Sequence, residues 1–131
     1  MSKAKADPFL KPEVKALLRH YVGNHSPRLP LISPIYADLR GLPPLLIHVG
    51  QDEILLSDST RLADKARAAS VEVTLKVWAG MWHVFHFFAP QLPEAREAIK
   101  AIGEFVQQQV NRRHAAEQSA ATDRATASQE V

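Results

Sequence analysis

The sequence predicts an α/β fold organised on a parallel βαβ unit with flanking helices. Three observations predict it. Leu45-Leu46-Ile47-His48-Val49 is a short apolar run closed by Gly50, the pattern of a central strand covered on both faces. After it, Leu62, Ala66 and Ala69 recur at helical spacing. Val71, Val73, Leu75 and Val77 then alternate with Glu72, Thr74, Lys76 and Trp78, as in a half-buried strand. Strand, helix and strand within about 34 residues form a βαβ unit, whose crossover is almost always right-handed.

The other elements follow in chain order. From Lys11 to Tyr21, the spacing of Val14, Leu17, Leu18 and Tyr21 predicts an amphipathic helix, with Pro12 in its first turn and Gly23 as its stop. Between Asn24 and Pro44, the prolines at 27, 30, 34, 43 and 44 remove backbone donors and predict an irregular connector along the surface. Ser57 or Asp58 is suited to cap the crossover helix, and Ser70 to end it. Pro93 opens the longest helix, on which Ala95, Ala98, Ile99, Ile102, Phe105, Val106 and Val110 make one stripe that should lie on the sheet. From His114 onward the sequence loses periodicity, so residues 114–131 are expected to be a disordered tail behind a domain of residues 1–113.

Composition narrows the function classes. The 131 residues are 46% hydrophobic, which is ordinary globular material. With 16 Lys+Arg against 14 Asp+Glu, the net charge of +2 is scattered, and neither nucleic acid nor a membrane surface is indicated as a partner. No cysteine is present, so disulfides and thiolate metal sites are excluded. Met1 to Pro8 carries basic residues with no apolar run behind them, and no window approaches the roughly 20 apolar residues of a membrane span, so a cytoplasmic protein is expected.

The chemistry-bearing residues fall where the two strands end. In open α/β sheets, catalytic groups gather at the carboxyl ends of the strands. Asp52 and Glu53 follow the first strand, and His83 follows the second. Loops on neighbouring parallel strands can bring a carboxylate to an imidazole, fixing its tautomer and stabilising the imidazolium formed when the ring takes a proton from a serine. Taken singly, a loop carboxylate is ordinarily solvated and a histidine ordinarily packs or faces water. His83 and His86 do not have the i, i+4 spacing of a zinc helix, and no third ligand accompanies them, so no metal is expected. His48 reads as a satisfied interior or face residue of its strand, and Phe85, Phe87 and Phe88 as aromatics that pack a core or, in a truncated chain, expose a sticky patch. Trp82, next to His83, is the candidate for a substrate pocket.

Several linked segments in one order carry a resemblance. Ser33-Pro34-Ile35-Tyr36-Ala37-Asp38-Leu39 is followed by Leu42-Pro43-Pro44-Leu45-Leu46-Ile47, then Val49-Gly50-Gln51-Asp52-Glu53-Ile54-Leu55-Leu56, then Ala79-Gly80-Met81-Trp82-His83-Val84-Phe85. From about Asp7 to about Phe105 the chain resembles the C-terminal portion of an α/β-hydrolase fold, in the hormone-sensitive-lipase-like branch of esterases and lipases. The resemblance implies a carboxylic-ester hydrolase acting on small acyl esters without a cofactor, with His83 as the triad base. It also implies an acid that is usually Asp in a D-P-L-x-D-E setting. An ungapped match back from His83 puts Glu53 there, and Asp52 stays open as the alternative.

Two parts of that family's machinery are not in this sequence. A G-x-S-x-G elbow and an H-G-G-type oxyanion loop are both missing, and none of the eight serines has glycines at the elbow spacing. The expectation is therefore a fragment or truncated reading frame, inactive alone, in which the acid and histidine are inherited. The alternative is a non-catalytic module that self-associates, or pairs with an N-terminal half, through an open sheet edge.

Overall fold

The computed structural model describes residues 19–127. Most of the helix expected from Lys11 to Tyr21 lies outside them. Residues 19–22 are helical and stop where expected, at Gly23, whose positive φ of 56° lets its N–H reach Arg19 O at 2.9 Å.

The connector is irregular apart from a 3-10 turn at Pro34–Tyr36. It does not merely follow the surface, because two things hold it down. Leu39 is buried with Ala66 and Val71, and Lys65 donates from Nζ to the carbonyls of Ile35 at 2.7 Å and Ala37 at 2.6 Å. A cation on two carbonyls makes charge-assisted hydrogen bonds, which are stronger than neutral ones.

Strand β1, Leu45–Gly50, pairs in parallel with strand β2, Val73–Trp78, in a two-stranded sheet whose register runs from Leu45↔Val73 to Gly50↔Trp78. The expected βαβ unit is present. Among the described residues, however, β1 has a neighbour on one side alone, so it is not a central strand here. Leu45 to His48 are accordingly only half-buried, while Val49 and Gly50 are buried.

Helix α1, Leu56–Ala68, makes the crossover. Ala63 and Ala66 are fully buried, and Leu62 and Ala69 pack beside the second of them. Small residues on that face allow close approach to the strands. The helix is not capped by Ser57 or Asp58, which lie in its first turn. Leu55 occupies the cap position without a side-chain hydrogen bond, and Asp58 favours the helix N-terminus through its charge. The other end closes as a Schellman motif: Ser70 is left-handed at φ 62°, its N–H reaches Arg67 O, and Val71 N–H reaches Ala66 O at 3.0 Å. Val71 is thereby used by the helix stop, so β2 starts two residues later than the alternation implies. At its far end the alternation also slips: Val77 is 46% exposed, and Trp78 turns in against Phe85.

Helix α2, Pro93–Ala127, opens at Pro93 as expected. Ala95 and Ala98 are fully buried against Met81 and Phe85. The rest of the stripe stands off the sheet, with Ile99, Ile102, Val106 and Val110 all exposed. Arg112 reaches back to both oxygens of Glu72, just before β2, at 2.9 Å. The expected disordered tail from His114 is corrected as far as Ala127, where the chain is helical with exposed side chains through residue 124. The entropy argument for disorder assumed a segment that must nucleate its own helix. Extending a helix already formed costs far less, and Ala, Gln, Glu and Arg favour it, as does the Arg113–Glu117 pair at 2.8 Å. No helix among the described residues is long and apolar enough to cross a membrane.

Candidate active site

The carboxyl ends of β1 and β2 lie side by side, and each continues into a loop that bears one half of an acid–base pair. After β1, Gln51 N–H bonds to Trp78 O at 2.8 Å and Asp52 N–H to Met81 O at 3.0 Å, so the first loop is hydrogen-bonded to the second. The two backbones also touch. A Cβ placed on Gly50 would lie 2.3 Å from Met81 O and 2.7 Å from Met81 C, a clash with backbone that cannot move aside. Only glycine fits there.

The second loop turns at Gly80, with φ 68°, and turns again at Val84, with φ 52° and ψ 32°. Positive φ in a β-branched residue is an outlier that costs about 1–3 kcal/mol and persists only where surrounding structure imposes it. Phe85, 1% exposed, supplies that structure by seating in the cluster with Met81, Ala95 and Ala98.

Glu53 and His83, 30 positions apart, meet here. His83 Nδ1 lies 3.2 Å from Glu53 Oε2, a contact in which the ring donates its Nδ1–H to the carboxylate. Glu53 is buried at 6% exposure, the one charged residue in the core among the described residues, while the His83 side chain is 36% exposed. A buried carboxylate behind a half-exposed imidazole can orient the ring and stabilise its protonated form. Asp52 meets the second loop through its backbone, and the carboxylate against His83 is that of Glu53. Trp82 packs edge-on against Phe88, with ring centres 5.4 Å apart, and does not line the cavity beside His83. Phe87 points outward at 81% exposure.

That cavity, about 180 Å³, is bounded by Gly50, Glu53, Ser59, His83 and two residues outside the expected site, His48 and His86. Their rings stack at 5.7 Å, and His48 Nδ1 lies 3.4 Å from His86 Nε2. Burial, then the His86 charge, then Lys76, push His48 down to about 4, and burial likewise lowers His86 against an opposing pull from Glu53. His48 is not the satisfied strand residue expected: its Nε2 and the neighbouring Trp78 Nε1 are buried without a hydrogen-bond partner among the described residues. The only hint of this pair in the sequence is a histidine inside an apolar strand. Among the described residues no group of three or more His, Cys, Asp or Glu is arranged to hold a metal.

A parallel βαβ unit with an acid and a histidine on adjoining strand-end loops is α/β-hydrolase architecture, and the chain belongs to that family: residues 1–87 match the alpha/beta hydrolase fold. Its relatives are esterase- and lipase-like. It is 43% identical to an acetyl-hydrolase of Streptomyces hygroscopicus over 72% of this chain and 31% of that protein. It is 44% identical to an esterase of Acinetobacter venetianus over 77% of this chain and 34% of that protein. Among solved structures, an esterase/lipase from an uncultured bacterium superposes with a TM-score of 0.79 at 45% identity, covering 82% of this chain and 36% of that one. A hormone-sensitive lipase from a metagenome library gives 0.77 at 44% identity, covering 82% and 38%. The chain thus spans about a third of the length of the curated relatives it matches.

Proposed function

We propose that this chain contributes the acid and base of a serine-type carboxylic-ester hydrolase acting on small acyl esters. The observation that carries the reading is the 3.2 Å contact between His83 Nδ1 and the buried Glu53 carboxylate. In the assembled centre, Nε2 of His83 takes the proton from a serine hydroxyl as that oxygen attacks the ester carbonyl. It then returns the proton to the leaving alcohol, and Glu53 steadies the imidazolium throughout. The serine and the oxyanion donors come from outside these 131 residues, in an N-terminal half that pairs with the chain. Family relatives that act on esters support the substrate class. The proposed compartment is the cytoplasm, on the sequence reading alone.

The test is hydrolysis of p-nitrophenyl acetate by the chain alone, by the chain mixed with an N-terminal half from a relative, and by the same mixture with His83→Ala. Turnover appearing on mixing and lost on substitution is expected. A mixture that forms a complex but stays as inactive as its parts would sink the catalytic reading.

A second reading is a non-catalytic module that associates with another chain. It is favoured by the edge of β1 that no strand covers among the described residues and by the exposed apolar residues Ile99, Ile102, Val106 and Val110 of α2. Complex formation without turnover is its signature.

A further inference from the structure

The position of the His83 ring against Glu53 has to be set by the loop that carries it, and that loop is fixed at both ends. On its N-terminal side, Met81 O accepts the Asp52 N–H at 3.0 Å and the Met81–Trp82 backbone lies on Gly50, where no Cβ would fit. On its C-terminal side, Phe85 is locked in the core and starts the 3-10 turn Phe85–Phe88, with Phe87 N–H on Val84 O at 3.1 Å. Between these anchors the chain must send His83 out toward Glu53 and Phe85 inward, and it does so at Val84, in the left-handed conformation.

We propose that Val84 is a positioning residue for His83, holding the imidazole on Glu53 because its left-handed backbone is the single arrangement that satisfies both anchors. This rests on the Glu53–His83 pairing proposed above. Valine is the informative residue type. Its branched Cβ restricts χ1 and narrows the left-handed well, so between fixed ends it forms a stiff link. Glycine would adopt the same φ without strain but would also sample others, and the ring beyond it would wander. Strain at this position is thus exchanged for a fixed ring.

The experiment follows the Nδ1–H proton of His83 by NMR in the chain as it exists, together with the melting midpoint. The resonance is assigned by its loss in His83→Ala. Glu53→Gln is expected to weaken or abolish its protection from exchange. Val84→Gly should keep or raise the melting midpoint, since strain is relieved, while that proton exchanges about tenfold faster through local opening. Val84→Asn, a residue at ease in the left-handed region, should stay near wild type in both. Protection unchanged in Val84→Gly, or lost only in step with a fallen midpoint, would overturn the inference while leaving the pairing intact. If Glu53→Gln leaves the proton as protected as before, the pairing itself fails and this inference fails with it.

Discussion

The loop junction at the end of the sheet and the far half of α2 are built on opposite terms. At the junction, backbone touches backbone at Gly50, a carboxylate is buried, and a β-branched residue is held in a strained conformation, so each residue's place depends on others distant in sequence. Beyond Ala98, α2 carries side-chain pairs within itself, Lys100–Glu104, Gln107–Asn111 and Arg113–Glu117, and its apolar residues Ile99, Ile102, Val106 and Val110 are exposed. The difference teaches that geometry fit for chemistry comes from tertiary constraint, whereas a long helix can persist on local bonding.

Substitutions sharpen this contrast when ranked by effect. Phe85→Ala, which empties the best-buried side chain of the junction, is expected to cost about 3–5 kcal/mol in denaturant unfolding and to release the His83 loop. Gly50→Ala forces the two loops apart and should cost about 1–3 kcal/mol, with the Asp52 amide losing its protection from hydrogen exchange. A pH series comes next. His48 is held near 4 against an ordinary 6.5, so between those values the unfolded chain takes up a proton that the folded chain refuses, and stability must fall as pH falls from 6.5 toward 4. His48→Gln should flatten that slope, with the lowered His86 leaving a remainder of the same sign. Smallest of all, removing residues 114–131 should change stability by less than about 0.5 kcal/mol. A loss of several kcal/mol there would break the comparison.

What could be read from the sequence was what depends on neighbours in the chain. The run Leu45–Val49 with its closing glycine marked β1, the alternation from Val71 marked β2, which starts at Val73, and the order of segments up to Phe85 pointed to the family and to His83 with Glu53 or, as the alternative, Asp52. Long-range contacts were not legible. Gly50 reads as a strand stop, and its contact with Met81 appears only when the loops are placed together. Nothing about a valine suggests positive φ, and His48 and His86 sit 38 residues apart on a strand and a turn that no periodicity relates. The start of α1 misled because Ser57 and Asp58 are good caps in isolation, yet the turn from Glu53 to Leu55 already feeds the helix, with Ser59 N–H on Leu55 O at 2.9 Å. The fate of residues 114–127 misled because continuity with a preceding helix is not a property of their own composition.

The Lys65 ammonium, capped by the carbonyls of Ile35 and Ala37, has a consequence for chemical labelling. An amine that donates to two oxygens and is half-covered reacts slowly with acylating reagents, whereas Lys100, with 77% of its side chain exposed and only a surface pairing to Glu104 at 3.5 Å, reacts faster. The ratio of label on these two lysines, read by mass spectrometry, therefore reports whether the proline-rich connector is seated on α1, and does so without a ligand, a substrate or a partner chain.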